Sequence, residues 1–278
     1  MIYNYYRPNK YLKLGIKIWL KMFQELISSR ELIWRLFIRD FLAKYKQTVL
    51  GIFWAIIMPL LMVASFIFLN RAGLLNIGKT VVPYPVFALV GISIWQLFAT
   101  GVTACAGSIV QAGGMVVKVN FPKESLVIAA LAQSIFEFLV RIGLLLIVFI
   151  IYRIVPSWAS IFLPLVLIPL LLLTLGLGFL FAILNVVVRD IANILTLMTT
   201  FLLFLTPVLY PLPAGIFFAL LNICNPLSAL ITAGRDLVIF GCIKEPLQFS
   251  LASLVSLLIF LISWRIFYLV ESRMPERA

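Results

Sequence analysis

The chain has 278 residues, of which 64% are hydrophobic and only 12% are charged. Soluble proteins average about half apolar and about a quarter charged residues, so the composition predicts an integral membrane protein and excludes an ordinary soluble domain. The formal net charge is +12 and histidine is absent, which excludes histidine-based acid–base catalysis and histidine metal ligation. Because the cations concentrate before the first apolar span and in loops on one side, we expect them to mark the cytoplasmic face rather than to bind nucleic acid.

Residues 1–48 predict two amphipathic helices at the membrane interface. Residues 11–27 carry lysines on one helical face, and residues 34–45 place apolar side chains at helical spacing opposite a basic face. Such helices settle among lipid headgroups, where anionic membrane lipids attract the cations. The second helix also places acids four residues before cations, which predicts the pairs Glu31–Arg35 and Asp40–Lys44.

Residues 49–270 predict an all-α, polytopic membrane domain of six transmembrane helices. The first span is uncharged for about 20 residues, enough to cross a hydrocarbon core of roughly 30 Å. Cations before this span and in the tail at 271–278 predict that both termini are cytoplasmic. The predicted spans are residues 50–69, 85–108, 126–152, 161–184, 194–209 and 247–270.

Residues 73–80, GLLNIGKT, match the phosphate-binding pattern GxxxxGK[ST] letter for letter. A working P-loop needs a buried strand before it and a helix after it whose amino terminus faces the phosphates. Here a membrane span precedes the match, Pro83 and Pro85 follow it, and the orientation places it outside. We therefore predict that this segment binds no nucleotide.

Residues 111–125, QAGGMVVKVNFPKES, form the longest inner loop between spans. Gly113, Gly114 and Pro122 bound an element whose apolar side chains would otherwise face water, which predicts a docking surface. The turn at 185–193 lies on the same face and contains Arg189 and Asp190. The apolar and charged members of the loop are Met115, Val116, Val117, Lys118, Val119, Phe121, Lys123 and Glu124.

Glu137 and Arg141 are the only charges deep in the predicted third span. Each alone would cost about 2.5–3.5 kcal/mol at mid-membrane, and their spacing of four residues predicts an ion pair. Two interpretations stay open: a neutral pair that locks helices together, or a site that meets substrate or a water-filled path.

Residues 206–245 are apolar but interrupted by prolines and glycines into pieces of under about 12 residues, too short to cross a membrane. They predict re-entrant or interfacial helices that form an outer gate. Arg235 belongs to the few cations assigned to outer loops.

Four stretches together resemble the permease subunits of polysaccharide ABC exporters, which move lipid-linked O-antigen, capsular polysaccharide or teichoic acid. They are RDFLAKYKQTVLGIFWAIIMPL (39–60), KVNFPKE (118–124), NVVVRDI (185–191) and NPLSALITAGRDLV (225–238). The resemblance implies a homodimer in the bacterial inner membrane, joined to two cytoplasmic ATPase subunits that bind ATP and Mg. It also implies that this chain binds no cofactor and is not itself an enzyme, and that residues 111–125 and the helix containing Arg35 and Arg39 contact the ATPase.

A path for polysaccharide needs flat aromatic surfaces and hydroxyls without deep pockets, so that binding stays weak. The candidates are Phe53, Trp54, Thr199, Thr200, Phe201, Phe204 and Tyr210; the alternative for each aromatic is an ordinary lipid-facing or packing role. Two rival functions stay open. One is an ion-coupled secondary transporter with Glu137 as its carboxylate, which Arg141 would neutralise. The other is a membrane-bound lipid or sugar transferase, for which acidic and histidine groups are scarce.

Overall fold

The computed structural model describes residues 17–46, 50–73, 80–119, 121–188, 190–211 and 225–271. All regular elements within these ranges are helical, as the composition predicted. They are α1 (Lys17–Ser28), α2 (Arg30–Lys46), α3 (Trp54–Arg71), α4 (Tyr84–Ala112), α5 (Gly114–Lys118), α6 (Glu124–Ile151), α7 (Leu163–Val187), α8 (Ile191–Leu205), α9 (Pro226–Phe240) and α10 (Pro246–Val270). Short 3₁₀ turns at Gly51–Phe53 and Trp158–Phe162 lead into α3 and α7.

Five helical segments in the described part of the chain are long and apolar enough to cross a membrane: α3, α4, α6, α7 and α10, with the 3₁₀ turns included in the first and fourth. They confirm a polytopic membrane protein. The predicted fifth span, residues 194–209, overlaps the shorter apolar helix α8, which has 15 residues and begins three residues earlier at Ile191. At about 1.5 Å per residue this helix is shorter than the hydrocarbon core, so the count of six spans stays a prediction.

Helix α4 lies at the centre of the bundle and packs against α3, α6, α7, α8 and α9. Most of its side chains are buried, which explains why its sequence is apolar all round rather than striped. Small residues allow close approach: a Cβ atom at Gly101 would lie 2.6 Å from Cγ2 of Thr174 on α7. The small residues of this helix therefore form a packing surface.

The amphipathic helices pack on the bundle more closely than an interfacial location alone requires. In α1, Ile18 and Met22 are fully buried, and the ring of Trp19 lies 5.9 Å from that of Trp264 on α10. In α2, Phe41 packs edge-on against Phe136 of α6 at 4.8 Å between ring centroids. The apolar stripe of α2 is thus partly a helix-packing surface.

One of the two ion pairs predicted within α2 is wrong. Glu31 and Arg35 pair at 2.6 Å, as their spacing predicted. Asp40 instead pairs with its neighbour Arg39 at 2.8 Å. Lys44 instead pairs with Glu137 on α6 at 2.6 Å.

The broken segment at 206–245 contains a longer helix than the proline and glycine pattern predicted. Helix α9 has 15 residues, because Gly234 lies inside it and does not end it. Asn225 caps its start by accepting a hydrogen bond from the backbone N–H of Leu227 at 3.1 Å. Residues 212–224 of the predicted outer gate lie outside the described residues.

Candidate functional site

The predicted ion pair on α6 is present, and it belongs to a larger cluster. Nη2 of Arg141 lies 3.1 Å from Oε2 of Glu137. The other carboxylate oxygen, Oε1, accepts from Nζ of Lys44 at 2.6 Å and from the hydroxyl of Tyr45 at 3.0 Å. Both of these partners come from the end of α2, so the cluster joins α2 to the middle of α6.

The electrostatics of this cluster favour the structural interpretation of the pair. Glu137 is 6% exposed and Arg141 only 2%, and an isolated charge so deeply buried is costly. Burial and the neighbouring Glu137 carboxylate raise the pKa of Tyr45, so its hydroxyl keeps its proton and donates. With both oxygens engaged, Glu137 differs from the free carboxylate that ion coupling requires. Sequence reasoning missed Lys44 here because its i,i+4 partner Asp40 was available locally.

The loop at 111–125, called the coupling loop below because it is predicted to contact the ATPase, contains the short helix α5. This helix leaves α4 at Gly113, where φ is +48°. The expectation that its apolar side chains face outward is wrong for Val116 and Phe121, which are 1% and 9% exposed and pack in the core at this end of the bundle. Met115 is half-buried, and Val119 is 52% exposed. The side chains of Val117 and Lys118 lie outside the described residues.

The charged end of this loop is anchored rather than free. Lys123 and Glu124 are buried, which contradicts the expectation that they form an outward charged face. Oε1 of Glu124 accepts from Nε1 of Trp264 at 2.7 Å, and the backbone N–H of Lys123 donates to Oε1 of Glu271 at 2.7 Å. The end of the loop is therefore held by α10 and the residue after it.

The structure brings together two elements that sequence analysis named separately as coupling candidates. Nη1 of Arg39 on α2 lies 3.2 Å from the sulfur of Met115 on α5, and Arg35 is exposed on the same helix. On the other inner turn, Asp190 is exposed and Arg189 lies outside the described residues. This contact places the exposed side of α2 next to α5.

The aromatic residues predicted for a substrate path lie in two places. Phe53 and Trp54 are exposed at the beginning of α3, and Phe201 and Phe204 are exposed on α8; both helices pack against α4. Thr200 is also exposed on α8, and Thr199 is half-buried. After α8 the hydroxyl of Tyr210 donates to the carbonyl of Phe204, which folds the following turn back on the helix.

A buried arginine holds the irregular segment, and sequence analysis had assigned it to an outer loop. Arg235 is 5% exposed. Its Nη1 donates to the carbonyl of Pro207 at 2.9 Å, and its guanidinium carbon lies 4.0 Å from the ring centroid of Phe87 on α4. Nearby, Nδ2 of Asn225 donates to Oγ1 of Thr206 at 3.0 Å. In the sequence this arginine stands between a glycine and an aspartate, and neither neighbour indicates that its side chain is buried.

Comparison with known families matches residues 31–239 to the ABC-2 type transporter family, three quarters of this chain. The chain belongs to the ABC-2 type transporter family. It is similar to the O-antigen export system permease protein RfbA of Myxococcus xanthus, 28% identical over 262 residues, covering 93% of this chain and 98% of the relative. It is also similar to two proteins of that name from Klebsiella pneumoniae: 26% identical over 211 residues, covering 74% of this chain and 79% of the relative, and 24% over 243 residues, covering 86% and 91%.

The ABC-2 match includes the charge cluster, the coupling loop and Arg235, and it ends within α9. Helix α10 lies beyond it, although Trp264 of that helix binds Glu124 of the loop.

The P-loop-like stretch of this ABC-2 transporter follows a helix. Helix α3 ends at Arg71, two residues before Gly73, and α4 begins at Tyr84. A P-loop follows a buried strand, so the preceding element is of the wrong kind. Residues 74–79 lie outside the described residues.

Proposed function

We propose that this chain is the membrane permease of an ATP-driven exporter that moves a lipid-linked, O-antigen-like polysaccharide from the cytoplasmic to the outer side of the bacterial inner membrane. The observation that carries the proposal is the family match over residues 31–239, together with O-antigen export permeases that align over most of this chain. The relatives are named permeases, so we assign no reaction to this chain itself.

In this proposal the energy for export comes from ATP hydrolysis on separate subunits. Two copies of the permease associate with two ABC ATPase subunits, which bind ATP and Mg. The surface formed by α2 and α5, where Arg39 meets Met115, supports this contact. Helix α10 and the residue after it hold the end of the coupling loop through Glu124 and Glu271. A displacement of α5 is therefore transmitted to α6 and α10 together.

The substrate path follows the exposed face of α8 in this proposal. Phe201 and Phe204 provide flat apolar surfaces, and Thr200 provides a hydroxyl, which suits the mixed polar and apolar surface of a sugar chain. We infer that a second copy of the chain faces these residues across a central pore. The basic loops favour cytoplasmic termini.

Reconstitution tests the proposal directly. The permease is purified together with a candidate stand-alone ABC ATPase subunit. The complex is placed in proteoliposomes with a lipid-linked glycan and assayed for glycan transfer across the bilayer with and without ATP. The expected result is ATP-dependent transfer that is lost with an ATPase lacking its P-loop lysine. Transfer that follows an ion gradient and ignores ATP would refute the proposal.

A further inference from the structure

Helices α6 and α7 leave an apolar groove between them that none of the sites described above uses. It has a volume of about 370 Å³, and Leu146 of α6 and Leu167 of α7 belong to its lining. Both helices pack against α4, whose Leu97 also lines the groove. The groove is therefore a cleft between two membrane-spanning helices that reaches the central helix of the bundle.

The lining of this groove offers little to water. Ser160 is the only polar residue among the described residues that line it, and the others are aliphatic, aromatic or proline. A buried water molecule needs about two to four polar partners, and apolar cavities stay dry and take up apolar molecules instead. An empty groove would also lose dispersion contacts along its walls. Hydrocarbon is therefore the occupant that this groove favours.

One end of the groove, called its mouth below, lies at the turn between α6 and α7, where Pro156 and Ser160 line it. The backbone N–H of Ser157 fixes this turn by donating to the carbonyl of Val238 on α9 at 3.1 Å. Trp158 of the same turn is 95% exposed, and tryptophan is enriched where hydrocarbon meets the headgroups. In the orientation of the proposed function, the mouth therefore lies at the outer headgroup layer.

The polar group at the mouth lacks a partner. Oγ of Ser160 is buried and forms no hydrogen bond within the described ranges, which is costly for a hydroxyl donor. The ester carbonyls of a phospholipid lie just below its headgroup, and one of them supplies the acceptor once the Ser160 side chain changes rotamer. From Phe149 to Ile135 the groove then follows α6 for about 21 Å, more than the roughly 15 Å depth of one leaflet.

We propose that the groove between α6 and α7 binds one acyl chain of an outer-leaflet phospholipid, with its ester group at Ser160 and its terminal methyl toward Ile135. No charged side chain is among the described lining residues, so the site recognises the chain and leaves the headgroup in the headgroup layer. The second copy of the chain in the proposed function faces α8, which contributes no described residue to this groove. The inference concerns a resident lipid; only its assignment to the outer leaflet rests on the proposed function.

Photocrosslinking of the purified full chain in lipid nanodiscs tests the direction of the bound chain. The probes are two phosphatidylcholines that carry a diazirine either next to the ester or next to the terminal methyl of one acyl chain. The first probe is expected to label the mouth at Ser160 and Pro164, and the second the opposite end at Phe138 and Leu171. Labelling of the groove should exceed labelling of Leu254 on α10, which is exposed but lies outside the groove.

Native mass spectrometry measures how firmly the lipid is retained. Wild type is expected to retain phosphatidylglycerol and phosphatidylcholine alike, because the chain and not the headgroup is bound. Leu146→Trp places an indole in the groove and should lower retention of both lipids about tenfold. Ile147→Trp is the matched control, because Ile147 is 57% exposed against 53% for Leu146 but does not line the groove. This control should retain lipid as wild type does.

Ser160→Ala provides an independent variant should Leu146→Trp fold poorly. It removes the hydroxyl and should lower retention about fivefold, the loss of one neutral hydrogen bond. Equal retention by Leu146→Trp and Ile147→Trp, or reversed labelling by the two photoprobes, overturns the proposal. A disulfide between two copies of Leu146→Cys would assign the groove to a contact between copies, and displacement of the phospholipid by a lipid-linked glycan would assign it to the transported lipid. Either result also overturns the proposal. These assays need no ATPase and no transport, so their failure is distinguishable from failure of the proposed function.

Discussion

Arg235 on α9 donates to the carbonyl of Pro207 at 2.9 Å and thereby joins α9 to the turn that follows α8. The same turn approaches α4 so closely that any side chain at Gly91 would collide with the carbonyl of Val208. The irregular segment is thus fixed from two sides, by a donor that satisfies its free carbonyl and by a glycine that makes room for it.

Arg235→Met should destabilise the protein by about 1–3 kcal/mol, because it leaves a buried carbonyl without its donor. The measurement is the thermal unfolding midpoint of the purified permease in detergent, together with export activity. Lys244→Met is the matched control, since Lys244 is exposed and its loss should change stability by under about 0.5 kcal/mol. Equal unfolding midpoints for both variants would show that the contact does not hold the segment.

Glu137→Gln should destabilise more than Glu137→Gln combined with Arg141→Met. The single change leaves the buried guanidinium of Arg141 without its counter-charge, at a cost of about 3–5 kcal/mol, whereas the double change removes both charges. Unfolding of both variants in detergent measures the difference. Lys44→Gln should cost less, because the Lys44 side chain is 53% exposed. Equal stability of single and double variants, with export lost only when Glu137 changes, would instead favour a substrate or coupling role.

Stability should depend on pH through Glu271. Burial and the nearby Glu25 raise the pKa of this carboxyl to about 7, against the opposing backbone hydrogen bond and charge of Lys123. The folded pKa exceeds the ordinary value of 4.5, so the folded state holds the proton of Glu271 more tightly than the unfolded state does. The free energy of unfolding therefore falls as pH rises from 4.5 to about 7. Glu271→Gln should remove this part of the pH profile, and Glu31→Gln, at an exposed position, should leave it. An unchanged profile in Glu271→Gln would contradict the assignment.

Cysteine crosslinking should distinguish the exposed side of the coupling loop from its buried side. Cysteine at Val119, which is 52% exposed, should crosslink to the ATPase subunit, and cysteine at Met115 should do so more weakly. Cysteine at Val116, which is 1% exposed, is the matched control and should not react. Phe121→Ala or a charge reversal at Lys123 should uncouple export by loosening the loop, since both residues are buried. Full export without a crosslink at Met115 or Val119 would place the contact elsewhere, with α2 and the turn around Asp190 as the remaining surfaces.

Lys79→Ala should leave export and ATP hydrolysis by the complex unchanged. The stretch around Lys79 follows a helix and so lacks the strand that positions a P-loop. Binding of a fluorescent ATP analogue to the permease alone provides the measurement, with the P-loop lysine of the ATPase as the positive control. Analogue binding that disappears in Lys79→Ala would overturn the proposed outward location of this segment.

The sequence by itself determined the features that depend on neighbours along the chain. Uninterrupted apolar length predicted the spans that became α3, α4, α6, α7 and α10. Helical spacing predicted the pair Glu137–Arg141, because residues four apart face each other on a helix regardless of what surrounds it. The same local rule failed for Asp40 and Lys44, where a partner from another helix competed.

Only the tertiary structure decided which polar groups are buried and what they contact. Lys44 meets Glu137 from 93 positions away, and Trp264 meets Glu124 from 140 positions away. For the same reason Arg235, which the sequence assigned to an outer loop, is buried in the structure and holds the irregular segment. Burial depends on which helices pack together. In a chain that is apolar nearly throughout, hydrophobicity distinguishes membrane-spanning segments from water-exposed ones, but it does not indicate which helices are neighbours.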